Sequence, residues 1–230
     1  MDKNAISYWY PRISQVEPNT PRTFWKIFDY DFLEVLDGAP VKLLKPLVSW
    51  VQEKAQEVGY PCFIKTGVFS GKHFWKDTCY LESQHRILYQ IHALIEHSCL
   101  ACTLGLPTNE WVIRQLLSVK PAFYAFNSMP ITKERRYFVR DGRVECCHPY
   151  WPESAIRNPS IPNWKNELKK INIMDDEEIN LLTKKTEKIG SIMDGYWSVD
   201  WLWVEKYNKW FLIDMADGDR SFHWSSCNDR

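Results

Sequence analysis

Apolar and polar positions are patterned most clearly near the end of the chain. Residues 197–219 read WSVDWLWVEKYNKWFLIDMADGD, with two aromatic-rich apolar runs, 198–204 and 210–215, around the polar stretch 205–209. Strand-favouring residues on both sides of a short Tyr-Asn-Lys turn predict a β-hairpin. A second hairpin is predicted over 135–139 and 143–148, around Asp141-Gly142. Shorter strand patterns occupy 61–66 (PCFIKT) and 111–117 (WVIRQLL). Helical spacing runs through Leu43, Leu44, Leu47, Val48 and Val51, predicting a helix over 41–58 that Gly59 stops and that Pro46 delays or kinks. The same period predicts helices over 82–100, 165–171 and 176–193, the last opened by Asp175-Asp176. Residues 1–40 are aromatic and broken by Pro11, Pro18 and Pro21, with only a short strand and helix suggested around 24–36. The proline-interrupted stretch 151–162 reads as a loop and the last six residues as frayed.

The final hairpin also carries the chemistry. Asp200 and Asp214 sit within apolar strands, and Asp217 and Asp219 follow at once. A carboxylate among apolar neighbours is costly unless paired, and two on adjoining strands repel unless a cation lies with them. The plain alternative gives each an Arg, Lys or backbone partner. As a set, oxygen-only ligands suit a hard divalent ion such as Mg²⁺, which commonly shares its shell with substrate phosphates. A candidate phosphate cradle lies upstream, where the strand ending Lys65-Thr66 runs into Gly67, Ser70, Gly71, Lys72 and His73. Glycines let backbone N–H groups approach an anion and lysines offset its charge, although the spacing is not that of a Walker A loop. Arg136 and Arg140 share one strand face and Arg135 and Val139 the other, so an arginine is available for bidentate contact with a phosphate or carboxylate.

Composition narrows the class. With 45% hydrophobic residues and 12 Trp among 230 residues, the chain is a folded one of one domain or two small lobes. The 29 basic and 29 acidic residues balance, so nucleic acid and membrane surfaces gain no general attraction. No apolar run of about 18 residues predicts a membrane span, and the N-terminus has no signal-peptide core. Cys99 and Cys102 have a metal or redox spacing but lie in a helical apolar stretch without a second pair. Cys146, Cys147 and His148 adjoin as a metal-ligand cluster would, but adjacent strand residues point to opposite faces, so the two cysteines are read as buried or incidental thiols, in a reducing cytosol, ahead of metal binding.

In order along the chain, the blocks FIKTGVFSGKHFWKDTC, PITKERRYFVRDGRVECCHPYW and SVDWLWVEKYNKWFLIDMADGD resemble those of small bacterial and phage proteins of the ATP-grasp superfamily, and more distantly its assembly-chaperone branch in eukaryotic translation initiation. The likeness spans about 61–224. It implies an α+β fold whose two α+β subdomains, built on antiparallel sheets, clamp a nucleotide. On that reading 1–60 is an N-terminal segment, 61–117 a small nucleotide-binding subdomain and 118–230 the C-terminal subdomain. The resemblance casts Lys65 on the phosphates, with Ser70, Gly71 and Lys72 as a covering loop. Arg114, Gln115, Leu116 and Leu117 become the strand whose backbone reads adenine, with Glu110 or Gln115 near base or ribose. Asp200 and Asp214 take the places of the acidic Mg²⁺ ligands. Ala216 stands where an Asn is usual, which leaves Asp217 as the candidate third ligand.

The implied activity is ADP-forming ligation of a small-molecule or peptide carboxylate to an amine or thiol through an acyl phosphate, with ATP and Mg²⁺. Arg136 and Arg220 are then candidates to stabilise that intermediate, and His73 and His148 to move protons. The alternative is an ATP-binding assembly or interaction protein that uses the fold as a nucleotide-stabilised clamp. The abundance of Trp (Trp151, Trp164, Trp197, Trp201 and Trp203) favours that alternative, since Trp is enriched at protein interfaces, although core packing is the commoner use of each.

Overall fold

A computed structural model describes residues 2–38, 41–101, 106–225 and 227. In chain order its longer elements are α1 (Ile6–Ile13), β1 (Thr23–Ile27), α2 (Lys45–Val58), β2 (Cys62–Thr66), β3 (Tyr80–Leu81), α3 (Ile87–Ala101) and β4 (Glu110–Gln115). There follow β5 (Phe123–Ala125), β6 (Met129–Ile131), β7 (Glu134–Arg140), β8 (Arg143–Pro149), α4 (Trp164–Asn172), α5 (Asp176–Gly190), β9 (Tyr196–Val204) and β10 (Lys209–Asp217). The chain forms two compact units. The first comprises Pro21–Leu116 with Phe126–Met129, and the second Met1–Thr20, Leu117–Ala125 and Pro130–Arg230. Residues 1–60 are thus shared between the units.

In the first unit an antiparallel sheet has the order β1-β4-β2-β3. Alternation along the strands sends Cys62, Ile64, Trp111 and Ile113 to one face. There they pack with Leu47, Val51 and Ala55 of α2 and Ile91, Leu94 and Ile95 of α3. Helix α2 begins at Lys45, after a 3₁₀ turn over Val41–Leu44, because Pro46 is tolerated only in the first helical turn. It ends at Gly59, whose φ of 86° suits glycine and whose N–H bonds to Ala55.

The second unit carries the antiparallel sheet β10-β9-β7-β8. One face, with Tyr137, Val139, Trp197, Val199, Trp201 and Met215, is buried. Helix α5 ties to it through Thr186 Oγ1, which accepts from Trp201 Nε1 at 3.0 Å. Asp175 caps α5 by accepting from the Glu178 N–H at 2.8 Å, as its position in the sequence suggests. Buried Arg135 bonds Glu178 and the carbonyls of Ile171 and Ile173, so its guanidinium fastens the helices to the sheet.

Helix α1 is an element the prolines concealed. Ile6, Trp9, Tyr10 and Ile13 are all buried at helical spacing, and that burial outweighs the hydrogen bond lost at Pro11. The Trp residues are accounted for by packing. Trp151, Trp197 and Trp201 are at most 2% exposed, Trp203 packs edge-on to Trp210 and Trp164 packs on Phe123. Core packing absorbs them. Two of the seven cysteines, Cys146 and Cys227, are joined by a disulfide, which corrects the reading of Cys146 as an incidental thiol and of Cys227 as part of a frayed end. Cys102 lies outside the described residues, as do Ser226 and residues 228–230 of the expected frayed end. Among the described residues no helix is long and apolar enough to cross a membrane.

Candidate functional site

The first unit's sheet has a second face, and strand alternation places Phe63, Lys65, Glu110, Val112, Arg114 and Thr23 on it. Lys65, Glu110 and Arg114 are 6%, 8% and 6% exposed. Three buried charges on one sheet face are costly unless they serve each other or a ligand. Arg114 Nε donates to Thr23 Oγ1 at 2.9 Å, which fixes its direction along the sheet.

The loop leaving β2 is closed at both ends. Thr66 and Phe69 exchange backbone and hydroxyl hydrogen bonds of 2.9–3.2 Å, and Thr78 Oγ1 donates to the Gly71 carbonyl at 2.8 Å. Gly71 has φ 60°, and a Cβ there would lie 3.0 Å from Thr78. A Cβ on Gly67 would fall 2.6 Å from Glu110 Cδ, so this glycine makes room for the Glu110 carboxylate. Ser70 and Lys72 are half-buried beside Gly71. His73 stacks flat on Phe126, with centroids 4.3 Å apart; burial, then the Lys72 charge, holds its imidazole below the ordinary range.

In the second unit the strand register aligns Asp214, Asp200, Arg136 and His148 in one row across β10, β9, β7 and β8. Directly opposed residues share a face, so these four side chains are neighbours in that order. Asp214 joins the row through a register shift between Leu212 and Asp214. With a regular ladder Ile213 would oppose Asp200 and Asp214 would turn to the buried face.

Arg136 grips Asp200 in bidentate fashion, Nε to Oδ1 and Nη2 to Oδ2, both at 2.8 Å, and its guanidinium lies 4.6 Å over the Tyr150 ring. Burial alone would lower its basicity, but the charge and hydrogen bonds of Asp200, with Tyr150 and Asp214, more than offset this and raise it. The plain alternative therefore holds for Asp200, which has an arginine partner. Asp214 is half-buried, and its Oδ1 accepts from the Met215 N–H at 3.1 Å. Two carboxylates against one guanidinium leave a net negative, all-oxygen donor set. A set of this kind suits a hard divalent ion, for which Asp214 and the remaining lone pairs of Asp200 would be the available oxygens.

The other proposed site residues fall elsewhere. The next row is Ala216, Ser198, Phe138 and Cys146, so the position two beyond Asp214 offers only a methyl group. Asp217 opposes Trp197 on the other face, where its Oδ1 accepts from the Asp219 N–H at 3.0 Å and caps a 3₁₀ turn. Arg220 is exposed in that turn. The structure thus does not bring Asp217 or Arg220 to the acidic row. Gln115 shares the helix-covered face of the first sheet and bonds Arg22 through both its N–H and its side-chain oxygen. Leu117 packs with Leu202 and Val204 in the second unit, and the chain passes from one unit to the other between Leu116 and Leu117. Tyr150, beneath Arg136, carries no sequence signal and is visible only through the fold.

No protein-family model and no curated protein sequence matches the chain. Solved structures do. C-terminally truncated Cdc123 from Schizosaccharomyces pombe aligns with TM-score 0.60 and 15% identity over 99% of this chain and 92% of its own. D-alanine–D-alanine ligase from Bacillus anthracis, solved with ATP, aligns with TM-score 0.53 and 10% identity over 98% of this chain and 59% of its own. The ATP-grasp ligase PsnB, solved with a precursor variant, Mg and ADP, aligns with TM-score 0.50 and 11% identity over 99% and 54%. The chain spans only a little over half of each ligase. The fold is an ATP-grasp-like α+β fold, as the order of the sequence blocks implies.

Proposed function

We propose that this protein binds ATP with Mg²⁺ and is an ADP-forming carboxylate–amine or carboxylate–thiol ligase. The row Asp214–Asp200–Arg136 carries this reading: a half-buried acid beside an Asp–Arg pair is a metal-and-phosphate arrangement, on a fold shared with a ligase solved with ATP. Lys65, Glu110 and Arg114 give the first sheet a charged face suited to the nucleotide, with Lys65 on the phosphates. The bound ion would offset charge on the transferring phosphoryl group. Arg136, already oriented by Asp200, presents its remaining N–H to an acyl phosphate. The loop of Ser70, Gly71 and Lys72 would cover the nucleotide's phosphates next to Lys65, and Lys72 adds positive charge there. No protein nucleophile is needed.

The test is ADP and phosphate release from purified protein with ATP, Mg²⁺ and a panel of carboxylates with amines or thiols. Lys65→Ala and Asp214→Asn should each lower kcat/KM by about 100-fold or more, the scale of losing one charge-stabilising group. Full turnover in either variant contradicts the proposal.

One observation favours a second reading, an ATP-binding assembly or interaction protein without turnover. Ala216 leaves the acidic row with two carboxylates, one of them already committed to Arg136. ATP binding with no ADP release, and a protein partner retained only with nucleotide, would select it.

A further inference from the structure

Cys146 and His148 are two apart on β8 and share the face that bears the acidic row. His223 and Cys227, separated by three residues in the sequence, lie beside Cys146. The ligand atoms of Cys146, His223 and Cys227 all lie within 4.8 Å of one another. His223 Nδ1 is 3.7 Å from Cys146 Sγ. Sulfur and nitrogen on one tetrahedral zinc ion, at bond lengths of about 2.3 and 2.05 Å, are about 3.6 Å apart.

Each imidazole has one ring nitrogen committed to another partner. His148 Nδ1 bonds the Pro149 carbonyl at 2.7 Å, which places the proton there and leaves Nε2 with its lone pair. That Nε2 is buried and has no hydrogen-bond partner, in a residue only 4% exposed. His223 Nε2 bonds Tyr196 Oη at 3.0 Å, leaving Nδ1 toward the sulfur. Metal-bound histidines characteristically use the second ring nitrogen in this way. Phe138 beneath His223 and Trp224 against His148 wall the cluster with rings. In sequence the four residues fall as Cys-x-His and His-x₃-Cys.

We propose that Cys146, His148, His223 and Cys227, with the two sulfurs reduced, form a structural zinc site that fastens the C-terminal segment to β8. The disulfide and the metal-bound cluster are then alternative states of the same two sulfurs. A phosphine reductant with water converts the disulfide to two thiols and itself to the phosphine oxide. Binding of Zn²⁺ then releases the two thiol protons. The thiols of Cys62 and Cys79 in the first unit are pushed up to about 12 by burial and do not compete.

Cobalt(II) tests this on the full chain, reduced with a phosphine and freed of metal under anaerobic conditions. One equivalent should produce a thiolate-to-cobalt charge-transfer band and intense tetrahedral ligand-field bands, which one equivalent of Zn²⁺ abolishes. The oxidised protein, folded with its sulfurs bonded, should produce neither, and reduced Cys227→Ser should lose them. His148→Asn should keep the charge-transfer band and weaken cobalt affinity by about 10- to 100-fold. The site is refuted if reduced protein gives no charge-transfer band, or if the oxidised protein or Cys227→Ser gives an undiminished one. An unchanged His148→Asn spectrum and affinity removes His148 from it.

Discussion

Removing Asp200 isolates the best-defined contact of the acidic row. Asp200 and Arg136 have side chains 6% and 14% exposed and meet through two 2.8 Å hydrogen bonds. Asp200→Ala leaves a mostly buried guanidinium unpaired, a change that costs about 3–5 kcal/mol when the group stays desolvated. Tyr150 and Asp214 remain beside Arg136, so the lower end, about 3 kcal/mol, is expected. Arg136→Ala instead leaves two carboxylates opposed on β9 and β10 and should cost at least as much, with part recovered in millimolar Mg²⁺. The double variant should cost less than the sum by about 2 kcal/mol or more. Urea unfolding followed by Trp fluorescence and circular dichroism measures all three. Single-variant costs below about 1 kcal/mol, the range of exposed pairs, would refute the buried-clamp description. So would additivity within about 0.5 kcal/mol.

Three other outcomes follow from packing and charge. A Cβ on Gly190 would lie 2.4 Å from Val139 Cγ2 and 3.1 Å from Gly142 Cα, so Gly190→Ala should destabilise by about 1–3 kcal/mol in urea unfolding despite the better helix former. Gly67→Ala should displace the Glu110 carboxylate and weaken ATP binding in calorimetric titration more than it lowers stability. Burial, opposed by the Pro149 hydrogen bond, pulls the His148 imidazole down to about 4 from 6.5. A base depressed in the folded state supports folding fully above 6.5 and loses that support as pH falls toward 4. Oxidised, metal-free protein should therefore lose up to about 3 kcal/mol across that window, and His148→Asn should flatten the profile.

The sequence reveals the strands and helices wherever burial is periodic. The two predicted hairpins become β7–β8 and β9–β10, and α2, α4 and α5 appear close to their expected bounds. Helix α1 was hidden because Pro11 reads as a breaker until the burial of Ile6, Trp9, Tyr10 and Ile13 is known. The acidic pair was legible as two carboxylates in apolar strands. Its arginine was not, because pairing Arg136 with Asp200 requires a register between residues 64 apart. The different fates of Asp214 and Asp217 depend on one inserted residue at Ile213, which no local composition announces. The Cys-His cluster joins β8 to a segment about 80 residues later, so its spacing resembles no local motif.

The proposed binding of ATP through a metal on Asp214 can be read from thermal unfolding with Mg²⁺ alone, ATP alone and both, in wild type and Asp214→Asn. Asp214 is the informative position because its substitution leaves the Asp200–Arg136 pair intact. Ligand at ~100 times its dissociation constant stabilises by about 2.7 kcal/mol, a rise in Tm of about 5–10 °C for a chain of this size. That rise is expected only when ATP and Mg²⁺ are both present, and it should be lost in Asp214→Asn. An unchanged Tm in wild type, or an equal rise in the variant, would contradict it.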